Sequence, residues 1–557
     1  MPRRPRPIRP APVPQPRLPP RGQAAATEAA LEREVVRHLG AVPLLLPLIE
    51  GLGLRGLINR RVHPTAASAA DLDVGVVGQV LVFNRLLAPR PLVHVEAWVS
   101  ETVLPEVLGV QAAQCNDDRL ARTLDTLFPH LDDLWQDLIV AAVRRYQLDL
   151  SQVGYDITSV SFCGAYEQAE LVTYGDSRDH RPDRQQLELA TTTTVDGGVP
   201  VDYRVLAGNV ADRSTPMENL RRLQKLRAAL PAPDRAAAWL VISDRAMLTA
   251  EAIAAYAQSD LHCLGPLDPS LGDGEVRRLL ASVPAAELAA SPLAYRPQRT
   301  ATDPDWRPDH GVLREMSLPH PDADQPPLVL RALVVWSPAK AQLDAHLRAS
   351  HLSRLEAALQ DLASKVGRRP DTTAPAVAQR VATLLRRHPA RRFLAVSVGT
   401  GETGPTLTWQ RQEADLTAAA ALDGRYVVGT TAPDLDAPTI LTCSKRRDVP
   451  EKGYELLKGP LAVRPVYLHK QERILGLIFC TMVALLLLSL LEVLVRRAGL
   501  SLSGPALLAL CAPLALLVLL FTDGTTLRRL SGLAPPLRAI LNAVGGADIV
   551  RYVAVHA

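Results

Sequence analysis

The chain has few aromatic residues and no strong charge of either sign. Phenylalanine, tryptophan and tyrosine make up 4% of its 557 residues, so leucine, valine and alanine must build its hydrophobic cores. Its 62 basic and 58 acidic residues leave a net charge of +4. Overall charge therefore neither favours nor excludes nucleic acid as a partner, and local clusters must decide.

Paired cysteines and a secretory signal are also missing. The six cysteines are scattered and form no Cys-x-x-Cys pair, which argues against a zinc site or a disulfide framework. No charged stretch followed by a short apolar run opens the sequence. Both features favour a cytoplasmic protein.

Composition and periodicity divide the chain into six predicted segments. They are a disordered Pro/Arg-rich tail (1–26), an all-helical N-terminal domain (27–149), the first part of an α/β core (150–265), a mixed α/β insertion domain (266–440), the rest of the core with a glutamate-bearing helix and a buried apolar helix (441–498), and a C-terminal segment (499–557).

The order of elements within residues 150–265 predicts the fold class. Three strands joined by short turns precede a helix, a fourth strand and another helix. This β-β-β-α-β-α order is the one that a ribonuclease-H-like fold requires, and in that fold the first and fourth strands are neighbours. We therefore predict an α/β protein with a ribonuclease-H-like core, interrupted by the insertion domain and preceded by the helical domain.

Three acidic residues stand where metal-binding carboxylates would be useful. Asp156 lies in the first predicted strand, Asp244 closes the fourth, and Glu451 opens a predicted helix. Hard divalent cations prefer carboxylate oxygens, and a pair of them drives phosphodiester chemistry. Taken singly, each acid is more typical of a turn, a cap or a solvated face, so only their order and context favour a site.

Short motifs surround these acids and recur along most of the chain. Two of them are Tyr155-Asp156-Ile157-Thr158-Ser159 and Ser243-Asp244-Arg245-Ala246-Met247-Leu248. Others cover residues 84–92, 116–120, 174–183, 208–212, 464–467 and 471–474. Together they resemble the DDE transposases of bacterial insertion sequences, in the group whose glutamate lies in a Tyr-x2-Arg-x3-Glu-x6-Lys signature.

The resemblance implies a set of roles. Asp156, Asp244 and Glu451 would be the catalytic residues and would hold two divalent cations, Mg²⁺ or Mn²⁺. Four basic residues would contact DNA, namely Arg178, Arg181, Arg447 and Lys458. The N-terminal domain would bind DNA as well, and the substrates would be the double-stranded ends of the element and the target DNA. The resemblance also implies a homodimer in the active complex and a cytoplasmic location at the nucleoid.

Two residues depart from the signature. Ser444 stands where the tyrosine is expected, and Pro450 directly precedes Glu451. Proline inside a helix removes a hydrogen bond and clashes with the preceding turn, so it fits only if the helix begins there. These departures keep open a catalytically impaired descendant that only binds DNA.

Two apolar runs near the C-terminus, residues 474–493 and 506–521, raise a third alternative. Each approaches the length needed to span a membrane, and together they suggest a helical hairpin. The soluble alternative is that the first run is a helix buried on all sides behind the sheet. The transposase resemblance favours that alternative over a membrane.

Overall fold

A large mixed sheet dominates the computed structural model, which describes residues 31–62, 72–179, 181–231, 238–297, 300, 302–366, 373–401, 404–446, 449–464, 466–545 and 549–553. The predicted tail 1–26 lies outside these residues. The strands are β1 (Leu31–His38), β2 (Gln152–Ser161), β3 (Gln186–Thr194), β4 (Pro200–Ala207), β5 (Trp239–Ser243), β6 (Leu261–Pro266), β7 (His310–Leu318), β8 (Leu328–Trp336), β9 (Leu394–Gly401), β10 (Gly404–Arg411), β11 (Arg425–Thr430), β12 (Ala515–Phe521) and β13 (Thr526–Ser531).

The described helices surround this sheet and fill the N-terminal region. They are α1 (Val42–Leu52), α2 (Leu54–Arg61), α3 (Val74–Leu87), α4 (Val95–Glu101), α5 (Leu104–Leu108), α6 (Asp117–Leu127), α7 (Leu131–Tyr146), α8 (Pro216–Ala229), α9 (Ala250–Ala257), α10 (Leu271–Ser282), α11 (Ala285–Ala289), α12 (Pro338–Lys365), α13 (Ala374–Leu385), α14 (Glu413–Ala420), α15 (Ala437–Lys445), α16 (Val449–Lys458), α17 (Gln471–Arg497), α18 (Gly504–Cys511) and α19 (Pro535–Ala543).

Eight strands form the main sheet in the order β4-β3-β2-β5-β6-β11-β8-β7. Strands β2, β3 and β4 run as an antiparallel meander, whereas β5 and β6 run parallel to β2. Helix α8 forms the crossover between β4 and β5, since a parallel pair requires a long connection. The predicted neighbourhood of the first and fourth strands of this region is confirmed by the β2–β5 pairing.

The prediction of an all-helical N-terminal region is wrong at its start. Residues 31–38 form β1, which pairs antiparallel with β12 near the other end of the chain. Apolar residues at 31, 35, 36 and 39 have helical spacing, which is why the local pattern indicated a helix. The backbone instead takes its hydrogen bonds from a strand almost 500 residues away, which no local pattern reveals.

Part of the predicted insertion domain belongs to the main sheet. Strands β7, β8 and β11 come from residues 266–440 and extend the sheet beyond β6. The remaining strands, β9 and β10, form a two-stranded sheet of their own. With α12 they enclose a small separate core that contains Leu355, Leu359 and Phe393.

The helical hairpin predicted as a third alternative does not form. The run 506–521 divides into α18 and the strand β12, with Pro513 in the break between them. Helix α17 is long and apolar enough to cross a membrane, but 94% of its most apolar stretch is buried inside the protein. It packs against α1, α3, α6, α7 and α16, as a helix that is apolar on all sides requires.

Candidate active site

The β2–β5 pairing brings two of the predicted acids together. Tyr155 on β2 is the register partner of Ser243 on β5. Asp156 and Asp244 are the next residues on the two strands, and Asp244 begins the turn that follows β5. Because residues on paired parallel strands follow one another in register, the two aspartates lie near each other, with Asp156 inside β2 and Asp244 just past the end of β5.

Helix α16 carries the third acid to the same strand. Its first residue is Val449, so Pro450 lies in the first turn, where its missing amide hydrogen removes no helical hydrogen bond. The predicted condition for tolerating this proline is therefore met. Pro450 packs on Gly154, where a Cβ atom would lie 3.2 Å from the proline ring. Glycine at position 154 thus lets the helix approach β2 closely.

Tyr454 fixes the position of α16 over β2. Its buried hydroxyl donates a hydrogen bond to the backbone carbonyl oxygen of Asp156 over 2.6 Å and accepts one from Thr191 Oγ1 over 2.8 Å. Glu451, Tyr454 and Lys458 are spaced at i, i+3 and i+7, so they share one face of the helix. The glutamate is exposed on that face, close to the strand that carries Asp156.

The electrostatics of Asp156 reflect this convergence. The pKa of its carboxyl is raised to about 6, chiefly by burial and also by the charges of Asp244 and Glu451. The backbone amide of Ile157 and the Arg178 guanidinium act in the opposite direction. The three acids therefore share one electrostatic environment, in which a bound cation would favour the ionised form of Asp156.

The donor atoms fit hard divalent cations, but they are not assembled into a closed cage. Three carboxylates offer the oxygen ligands that Mg²⁺ and Mn²⁺ prefer. In the described part of the chain, however, no three His, Cys, Asp or Glu side chains converge closely enough to hold a metal ion. Asp244 and Glu451 are both exposed, which leaves their side chains room to turn toward Asp156.

Two of the predicted DNA-binding residues are engaged in ion pairs beside the acids. Lys458 Nζ lies 2.8 Å from Asp179, whose other oxygen accepts from Arg464 over 2.7 Å. Arg464 also donates to Ser161 Oγ at the end of β2. Arg178 pairs with Asp212 over 2.5 Å. These cations are thus oriented at the end of β2 by carboxylates.

The other predicted DNA contacts are less closely tied to the acids. Arg181 is half-buried and pairs with Asp183 over 2.6 Å. Arg447 lies outside the described residues. Ser444, which replaces the signature tyrosine, is buried in α15. The Ser444 side chain is therefore not presented at the protein surface.

Sequence reasoning missed two residues that belong to this region. Tyr454 gives no motif signal, because a tyrosine in an amphipathic helix is more typical of a core position. Glu188 on β3 is buried, and burial raises the pKa of its carboxyl to about 7. A glutamate inside the predicted strand 186–195 was the sequence signal available for the second.

Comparisons with known proteins found a family match over part of the chain and a weak structural similarity. Residues 33–140 match a domain family of unknown function (DUF4277) that is found in transposase-like proteins. A solved synaptic complex of piggyBac transposase with hairpin DNA is similar over 85% of this chain and 79% of its own, at 8% identity and a TM-score of 0.39. That score is too low to establish a shared fold. No curated protein sequence matches the chain.

Proposed function

We propose that the chain is a DDE-type transposase of the insertion-sequence kind, with a ribonuclease-H-like core. The observation that carries the proposal is the parallel β2–β5 register, which sets Asp156 beside Asp244, with the Glu451 helix anchored on β2. The match of residues 33–140 to a family found in transposase-like proteins supports it. The substrates are the double-stranded ends of the element and the target DNA, and the acting form is a homodimer at the cytoplasmic nucleoid.

Asp156, Asp244 and Glu451 are the proposed ligands of two divalent cations, Mg²⁺ or Mn²⁺. When bound, the cations would activate an attacking hydroxyl and stabilise the leaving oxygen of a phosphodiester. Asp156 is the central ligand, because it is the most buried of the three and interacts electrostatically with both others.

The basic residues supply the contacts with DNA. Lys458 and Arg464 meet at Asp179, and Arg178 lies next to Asp156 and Glu188 in the same electrostatic environment. Phosphate oxygens would compete with Asp179 and Asp212 for these cations, since arginine binds phosphate as a fork and lysine as a point charge. Arg447 and Arg181 complete the proposed set.

Cleavage of supercoiled plasmid DNA tests this function. We expect wild-type protein to nick the plasmid with Mg²⁺ or Mn²⁺ and to lose this activity in EDTA. Asp156→Ala, Asp244→Ala and Glu451→Gln should each reduce nicking at least a hundredfold, because removing one ligand disrupts the cation pair. Equal nicking by wild type and Asp156→Ala would refute the assignment.

A second candidate is a transposase descendant that binds DNA without cutting it. Two observations favour it: Ser444 is buried, and no three metal-binding side chains converge in the described part of the chain. The same experiment distinguishes the two. Binding of DNA without metal-dependent nicking would identify the descendant.

A further inference from the structure

A cavity of about 380 Å³ lies between the N-terminal helices and the chain that follows α16. Its walls come from the end of α3 and the segment after it, from the first turns of α6, and from residues between Ala462 and Leu477. Three arginines line the cavity: Arg85, Arg90 and Arg473. The cavity is therefore lined by three cations contributed by two distant parts of the chain.

Arg85 is the unusual member of this set. Only 4% of it is exposed, and its Nε atom has no hydrogen-bond partner. Its Nη2 atom donates to two neutral oxygens, Asn84 Oδ1 and the backbone carbonyl of Arg90, both over 2.5 Å. Within the described ranges of the chain, no carboxylate forms an ion pair with it. Burial lowers the pKa of Arg85 to about 10, so the guanidinium stays charged at neutral pH.

A buried charge is normally paired, because leaving water is costly for an ion that gains no counter-charge. The neighbouring groups do not supply a counter-charge for Arg85. Arg473 is neutralised by Asp125 over 2.8 Å, and Arg90 is exposed. Asp117 is the one acid that lines the cavity among the described residues, and it lies exposed at the N-terminus of α6. Arg85 thus faces a cavity that is suited to an external anion.

The cavity adjoins the candidate active site through one short segment. Ala462, in its wall, adopts a left-handed backbone with φ of 43°, and two residues later Arg464 pairs with Asp179. Tyr467 projects from the same segment and is exposed at the mouth of the cavity. An aromatic ring beside a buried cation is a surface that suits a nucleotide, since the ring packs on sugar or base while arginine holds phosphate.

We propose that this cavity is a second DNA-binding site, in which Arg85 holds a backbone phosphate and Tyr467 packs on the adjoining nucleotide. The inference rests on the proposed function, because it takes the anion from the DNA on which such an enzyme acts. The cavity lies between the N-terminal helices and the segment after α16. A phosphate bound there would hold the DNA in register with the three acids.

Binding of a fluorescently labelled duplex of arbitrary sequence, titrated across salt concentrations in EDTA, tests the site without catalysis. The background is Asp156→Asn, so that loss of cleavage does not affect the result. Val93→Glu places a negative charge at the mouth of the cavity, and Val93 is 63% exposed, so the fold should tolerate it. Val329→Glu is the matched control, because Val329 is 60% exposed on β8, remote in sequence from the cavity walls.

We expect Val93→Glu to weaken binding at least fivefold, and Val329→Glu to leave it unchanged. Arg85→Gln should lower the slope of log affinity against log salt by about 0.9, the value for one lost phosphate contact. Arg85→Lys, which keeps the charge, should retain most of the slope. Thermal unfolding of each variant identifies any that fails to fold.

The outcomes separate this inference from the proposed function. Folded Val93→Glu and Arg85→Gln proteins that bind like the control would overturn the phosphate site, even if wild type nicks DNA. Selective loss of binding in both variants would support the site, even if no protein nicks DNA and the catalytic proposal fails. A folded protein that binds no duplex would overturn the site.

Discussion

The Tyr454 hydroxyl donates a hydrogen bond to the backbone carbonyl oxygen of Asp156 over 2.6 Å. Tyr454 lies three residues after Glu451, so this bond ties the helix of the third acid to the strand of the first. Thr191, the register partner of Asp156 on β3, donates to the same hydroxyl. The position of the Glu451 helix over Asp156 thus depends on a buried tyrosine.

Replacing Tyr454 with phenylalanine should disturb both stability and activity. The change leaves the Asp156 carbonyl and the Thr191 hydroxyl without this partner, which should cost about 1–2 kcal/mol in the free energy of unfolding. Because α16 then loses its fixed position, nicking should fall more than stability alone explains. Tyr174→Phe is the control, since Tyr174 is exposed. Urea unfolding and plasmid nicking measure the two effects, and wild-type values for both would exclude this role of Tyr454.

The contact between Gly154 and Pro450 gives a second prediction. A Cβ atom at position 154 would lie 3.2 Å from the ring of Pro450, so Gly154→Ala should push α16 away from β2. We expect a loss of about 1 kcal/mol in stability and at least a tenfold loss of nicking.

Gly453→Ala, on the same helix, is the matched control for this change. Its Cβ atom would meet Leu485 at an ordinary 3.7 Å, and alanine favours a helix over glycine by up to about 1 kcal/mol. It should therefore stabilise the protein and leave nicking intact. Similar activity in the two variants would show that the spacing between α16 and β2 is unimportant.

The sequence predicted the parts of the site that depend on local pattern. Alternation identified β2, a short apolar run identified β5, and the helix that leads into β5 indicated a parallel crossover. The proline rule required α16 to begin close to Pro450, and the helix begins at Val449. Each of these inferences uses residues close in the chain, for which local propensity and tertiary structure agree.

Features that depend on distant partners were missed. Strand β1 has a helical pattern and becomes a strand only because β12 pairs with it. Strands β7, β8 and β11 extend the main sheet, although nothing in their sequences distinguishes them from strands of a separate insertion. The bond from Tyr454 to Asp156 spans 298 residues, so no spacing rule reveals it.

Asp156→Asn should change the dependence of stability on pH and on metal. The folded pKa of about 6 exceeds the ordinary aspartate value of 3.8, so the folded state binds the proton more tightly. The resulting stability is complete below pH 4 and is lost as pH rises through 6. The asparagine variant does not ionise, so it should be more stable than wild type at pH 8 in EDTA, by up to about 3 kcal/mol.

Added Mg²⁺ or Mn²⁺ should reverse the difference in stability between wild type and Asp156→Asn at pH 8. Mg²⁺ or Mn²⁺ should raise the melting temperature of wild type at pH 8, because a ligand that binds only the folded state stabilises it. Asp156→Asn should show little response, and Asp324→Asn, at an exposed position, should respond like wild type. A metal response that survives in Asp156→Asn would place the cations elsewhere.

Glu188 provides a separate test of the electrostatics beside the site. It is 4% exposed, its Oε1 atom accepts from Gln186 over 3.1 Å, and its Oε2 atom has no partner. Burial, together with Asp212 and Asp176, raises its pKa from 4.5 to about 7, although Arg178 and Lys458 act against this. The folded state therefore holds a proton that the unfolded state releases between these pH values.

Stability that arises from Glu188 should accordingly be complete below pH 4.5 and be lost as pH rises through 7. Glu188→Gln keeps the shape of the protonated side chain but does not ionise, so it should match wild type at pH 4.5 and exceed it at pH 8 by up to about 3 kcal/mol. Glu315→Gln, an exposed change on β7, should leave the pH profile unaltered. Urea unfolding at several pH values measures the difference, and a destabilised Glu188→Gln at pH 8 would mean that the ionised carboxylate is the form that Arg178 and Lys458 hold.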